Sequence, residues 1–127
     1  MPRAVKTRPR RYFEAVREAA RDLERIHSQL AQGVPRQMEE VLRGRERADK
    51  ETIGRALTIL YGRDGEGGLC AVRTPLYATV LSERYVNCQT WKQIAQGLGC
   101  STNWARVVGN NALQAIDCLG LLDGRDG

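Results

Sequence analysis

Apolar residues recur along this chain at three- and four-residue spacing, and no stretch keeps up the period-two alternation of a strand. The longest run lies near the N-terminus. Tyr12, Val16, Ala19, Leu23, Ile26 and Leu30 step by 4, 3, 4, 3 and 4, a heptad seam of the kind that pairs one helix with another. Pro9 suits a first helical turn, where its missing N–H is not needed. Gly33-Val34-Pro35 closes the run, so the spacing predicts a helix from Pro9 to about Gln32. Arg17, Glu18, Arg21, Asp22, Glu24 and Arg25 fill its other faces. Met38, Val41 and Leu42 open a second apolar face, which resumes at Ile53, Ala56, Leu57 and Leu60. Between them, Arg43 to Glu51 (RGRERADKE) is either a break or a solvent-exposed stretch of helix. These segments can fold back as a hairpin or pair between subunits. The seam Tyr12, Val16, Ala19, Leu23, Ile26 and Leu30 is the candidate dimerisation surface.

Helical spacing stops at Gly62 to Gly68, GRDGEGG, which reads as a flexible linker. It lacks the Gly-Lys-Ser/Thr ending of a phosphate loop. Beyond it, Thr74-Pro75 is a helix start, with Leu76, Tyr77, Val80, Leu81 and Tyr85 on the apolar side as far as about Val86. From Thr90 to Gln114 the pattern is that of a helix-turn-helix. Ile94, Ala95 and Leu98 face inward on a short first helix from about Trp91 to Gly97. Gly99 makes the turn, since glycine enters the left-handed region without steric cost, and Ser101 is placed to cap the second helix. Ala105, Val108, Ala112, Leu113 and Ile116 continue the apolar side to about Leu119. The predicted organisation is a basic flexible arm (1–11), a helical hairpin or coiled-coil region (12–61), a Gly-rich linker (62–73) and a helix-turn-helix domain (74–122).

Charge adds a partner class. Net charge is +5, and residues 1–11 hold Arg3, Lys6, Arg8, Arg10 and Arg11 with no acid. The remainder balances 15 basic against 15 acidic side chains. Between Thr90 and Ile116 there is no acid at all, only Lys92 and Arg106. A basic arm beside a basic helix-turn-helix points to a polyanion. No apolar run approaches the roughly 20 residues of a membrane span. The basic N-terminus leads into no secretory apolar block, so the expected compartment is cytoplasmic. Cys70, Cys88, Cys100 and Cys118 form no close-spaced pair, and His27 is the sole histidine. A zinc site and a Ser/His or Cys/His catalyst are therefore without support. Cys100 and Cys118 read as small core residues, His27 as a partly buried flank, and Trp91 as a cap over the helix-turn-helix core. No cofactor is expected, and an enzyme is the least expected class.

The run RYVNCQTWKQIA from Arg84 to Ala95, then Ser101, Trp104 and NALQAI at Asn111 to Ile116, carries a resemblance. Pro75 to Ile116 resembles region four of bacterial sigma factors, and more closely small phage or prophage proteins related to the RinA and ArpU late-gene transcriptional regulators. The resemblance implies an all-α fold, with long coiled-coil-like N-terminal helices followed by a sigma-region-four-like helix-turn-helix. It implies double-stranded DNA as partner. Thr102, Asn103, Arg106 and Asn110 would face the bases; asparagine suits adenine and arginine suits guanine. Lys92, Ser101, Arg3, Lys6, Arg8, Arg10 and Arg11 would face the backbone, which positions without specifying. Thr102, Asn103, Val107, Gly109 and Asn110 occupy exposed places where such helices usually carry longer polar side chains. So few cations predict weak binding by the motif alone, leaving the arm or a homodimer to add affinity. Two other readings stand beside this one. The first is a phage-encoded protein that grips a host protein, such as RNA polymerase or a nuclease, through its helices. The second is a terminase small-subunit-like packaging adaptor.

Overall fold

A computed structural model describes residues 7–63 and 67–122. It is all-α, and the local sequence accounts for most helix ends. Helix α1 (Arg8–Gln32) starts at Thr7, whose hydroxyl accepts from the Arg10 N–H at 3.4 Å. It stops at Gly33, whose φ is 88°. Helix α2 (Arg36–Tyr61) runs unbroken through Arg43 to Glu51, so the polar stretch is solvent-exposed helix and not a break. A short α3 (Gly68–Val72) follows, then α4 (Pro75–Leu81), capped by Thr74 through the Leu76 N–H at 3.2 Å. Helix α4 widens into a π-helical turn at Ser82–Val86, closed by the Asn87 N–H on the Ser82 carbonyl at 3.0 Å. Helix α5 (Trp91–Leu98) opens with a reciprocal cap: Thr90 accepts from the Gln93 N–H at 3.1 Å, and Gln93 accepts from the Thr90 N–H at 2.8 Å. Gly99 is left-handed at φ 71°, and Ser101 caps α6 (Thr102–Leu119) through the Trp104 N–H at 3.1 Å. The turn and the Ser101 cap fall where the sequence places them, and the Thr90 cap is an addition from the structure.

Two apolar clusters share α4 and α6. The larger joins Phe13 and Val16 of α1, Ala56 and Leu60 of α2, Leu69 of α3, Ala78 and Leu81 of α4, Tyr85, and Ala112, Leu113 and Ile116 of α6. The smaller joins Val80 of α4 to Ile94 and Ala95 of α5 and Ala105 and Val108 of α6, with Trp91 against it. Ala95 and Ala105 let α5 and α6 approach closely, since a small side chain sits where the two helices meet.

This packing takes the hairpin from the two pairings left open and corrects two expectations. The seam of α1 is spent inside the chain: Val16, Ala19 and Ile26 are buried, and Tyr12, Leu23 and Leu30 half-buried, as α1 folds back on α2. Dimerisation through Tyr12–Leu30 would require that hairpin to open. The linker reading of 62–73 fails beyond Gly67, because α3 lies there and Leu69 is fully buried in the larger cluster. The backbones of Gly62 and Gly68 touch, with a Cβ at Gly68 meeting the Gly62 nitrogen at 2.4 Å. The arm reading of 1–11 fails from Arg8 onward, since Arg8, Arg10 and Arg11 belong to α1. Arg3 and Lys6 lie outside the described residues.

Candidate nucleic-acid interface

Helix α6 buries one side and presents the other. Asn103, Arg106 and Asn110 recur at three- and four-residue spacing and are all exposed, so they share one face. Thr102, at the first position, is half-buried and stands at the margin of that face. Ser101, next to Thr102 in the chain, is exposed with its hydroxyl committed to the cap, and Lys92 is exposed on the first turn of α5. An adjoining stripe of α6 is apolar, with Trp104 46% and Val107 44% exposed, and Leu98 of α5 is 37% exposed.

The first turn of α1 is strapped to α6. The Arg10 guanidinium donates to Asn110 Oδ1 at 2.5 Å, and Arg8 donates to the Leu122 carbonyl at 3.1 Å. Sequence reasoning placed the basic N-terminus and the second helix as separate elements. The structure brings Arg10 and Asn110 into direct contact, a hundred residues apart along the chain. Asn110 therefore has a side-chain partner that holds its amide oxygen, and its bonding capacity towards any other group is what remains.

The start of α5 is held by two contacts of Trp91. The six-membered ring of Trp91 packs against Gly109 of α6, where a Cβ would come within 2.4 Å of the indole. Gly109 is thus buried, not exposed as the sequence reading has it, and the close approach explains a glycine in mid-helix. The Arg84 guanidinium lies over the Trp91 ring, 4.9 Å from its centroid. Arg84 also donates to the Gln89 carbonyl at 3.2 Å. Burial, followed by the neighbouring Arg17 and Arg21 charges, pulls the Arg84 pKa down. Tyr85 beneath it is buried against Phe13, and that burial pushes its hydroxyl pKa up. The Cys88 thiol reaches the Arg17 carbonyl of α1 at 3.8 Å, from a backbone with φ of 57°.

Away from this end, charged groups hold the α1–α2 hairpin. Asp22 pairs with Arg45 and, at 3.7 Å, with Arg25. Asp49 stands against Asp22; desolvation and then that neighbouring carboxyl raise its pKa to about 6. Hydrogen bonding to Asp49, then to Arg45, lowers the Asp22 pKa. His27 bonds Glu46 at 2.8 Å, and with Arg43 holds the Glu46 pKa down. The His27 side chain is 52% exposed, more open than the partly buried flank expected of it. Cys118 is exposed and not a core residue, while Cys100 does pack on the smaller cluster.

No protein-family profile, curated protein or solved structure matches the chain.

Proposed function

We propose that this chain is a sequence-specific DNA-binding protein, a transcriptional regulator of the phage type that its helix-turn-helix resembles. The observation that carries the reading is the Arg10–Asn110 contact. It sets the basic start of α1 against the exposed polar face of α6, so a duplex lying on α6 would meet cations from both ends of the chain. Asn103 and Arg106 are the base-reading side chains, exposed and on one face. Arg10 and Lys92 face the backbone. Positioning by phosphate contacts and reading by base edges are separate tasks, and the two helices divide them. One chain suffices for this arrangement, because the α1 seam is occupied by α2.

Selection of bound duplexes from a random pool tests the reading. A recurring motif of a few base pairs is expected, relaxed at one or two positions by Arg106→Ala, which removes about 1–3 kcal/mol of discrimination. Recovery of a pool without any motif contradicts it.

A second reading rests on the apolar stripe. Trp104 and Val107, one turn apart on α6, offer an aromatic-anchored surface of the kind that marks protein contacts. If α6 grips a protein, Trp104→Ala abolishes capture while Asn103→Ala does not. On the DNA reading the order is reversed.

A further inference from the structure

Sequence reasoning assigned the polar side of α1 to solvent. Arg10, Glu14, Arg17 and Arg21 lie on that side at spacings of 4, 3 and 4, and so form one stripe. Arg10 to Arg21 spans about 16 Å of helix at 1.5 Å per residue. One end of the stripe is the Asn110 contact on α6. The other meets the Cys88-Gln89 loop that leads into α5, because the Cys88 thiol rests on the Arg17 carbonyl and Arg84 is bonded to Gln89.

Arg17 and Arg84 therefore come from two elements to the approach of α5, and Arg21 stands one turn along α1 from Arg17, its charge felt at Arg84. Among the described residues none of the three is ion-paired with a carboxylate. Glu83, next to Arg84 in sequence, accepts from the Asn87 amide at 3.2 Å. The Nε atoms of both Arg17 and Arg84 are buried without a hydrogen-bond partner. Like charges brought together and donors left unmet both cost free energy. An oxyanion beside the guanidinium groups offsets the charge repulsion, since guanidinium forks match phosphate oxygens in pairs.

We propose that Arg17, Arg21 and Arg84 form a phosphate site, and, on the DNA reading above, that it holds the backbone of a duplex whose bases face α6. The site extends the contact from the α1–α6 junction to the start of α5. It also supplies the cations that the α5–α6 pair lacks.

The test is the salt dependence of duplex binding by the full chain and by Arg17→Gln/Arg21→Gln. Each lost phosphate contact lowers the slope of log K against log salt by about 0.9. The double variant is expected to lose about 1.8 in slope and to weaken equally on every duplex sequence. Arg17→Lys/Arg21→Lys is expected to keep the slope and lose only part of the affinity, as charge stays and the paired geometry goes. An unchanged slope in the glutamine variant, with its helical circular dichroism intact, overturns the site. If the wild-type chain binds no duplex at low salt, the DNA reading itself has failed. Calorimetry with inorganic pyrophosphate then decides the site alone. Heat from the wild type and none from the glutamine variant supports it, and heat from neither, or equal heat from both, overturns it.

Discussion

The two ends of the long hairpin are built from the same helices and held by different forces. At the end shared with α6, Phe13, Val16, Ala56 and Leu60 close without exposed area onto α3, α4 and Ile116. At the loop end, Ile26 and Leu42 are closed, but Met38 is 49% and Val41 59% exposed, and charge joins the apolar contacts between the helices: Asp22 to Arg45, His27 to Glu46. Apolar closure is short-ranged and intolerant of volume change. Exposed ion pairs are weak and respond to salt and pH. The difference teaches that stability is concentrated where α6 is seated. The distal hairpin is a lever attached to that seat.

The sharpest way to break the comparison is Phe13→Ala. Phe13 is fully buried and meets Tyr12 edge-on and Tyr85 at a tilt. Its truncation is expected to cost about 3–5 kcal/mol in chemical denaturation. Hairpin and α6 should then melt together. Leu30→Ala, half-buried towards the loop end, should cost markedly less. Equal losses would erase the distinction between the two ends.

Gly109→Ala comes next. Helix propensity alone favours alanine by about 1 kcal/mol. The added Cβ would stand 2.4 Å from the Trp91 ring, so the α5–α6 contact must open. A net destabilisation of about 1–3 kcal/mol is expected, as for overpacking generally, read as a lower melting temperature. The smaller Trp91→Leu side chain in the same background should recover part of it. Thr90→Ala removes the reciprocal cap of α5 and should cost about 1 kcal/mol.

The smallest effect lies in the hairpin. The folded-state pKa of Asp49 is raised to about 6 from 3.8, so the folded chain holds that proton more tightly than the unfolded one. Its contribution is fully present below about pH 4 and is lost as pH rises through about 6. Asp22 is shifted the other way and favours the fold above its unfolded value, so the two partly offset each other. Asp49→Asn removes the repulsion. It should raise stability at pH 8 by about 0.5 kcal/mol, the size of an exposed pair, and change it little at pH 4. Thermal melts at the two pH values read the difference.

What the sequence made legible was local. Thr74, Gly99 and Ser101 act through bonds to residues within a turn of themselves, and each sits where short-range chemistry puts it. The all-α class followed from spacing alone. What was not legible depended on partners distant in sequence. The heptad seam of α1 looks the same whether its partner is a second copy or α2, because periodicity records a buried face without naming what buries it. Gly109 reads as a weak point until Trp91 is docked on it. Composition reads residues 1–11 as one arm, whereas Pro9 already marks a helix start inside it, and Thr7 and Pro9 open α1 around Arg8, Arg10 and Arg11. On the candidate interface, the face of Asn103, Arg106 and Asn110 was readable from helical phase. The Arg10–Asn110 contact and the Arg17, Arg21 and Arg84 grouping were not. A basic residue recurring at heptad spacing on the polar side of α1 was the one available signal.

The central claim is that the exposed face of α6 and the basic stripe of α1 form one surface for a duplex. Backbone amide shifts of the isotope-labelled full chain, titrated with a short duplex at low salt, test it most directly. The account predicts changes concentrated at Asn103, Arg106 and Asn110, at Lys92 beside the α5 cap, and along Arg10 to Arg21, with Met38 and Val41 at the loop end unmoved. Changes spread evenly over the hairpin, or none at α6, would contradict it.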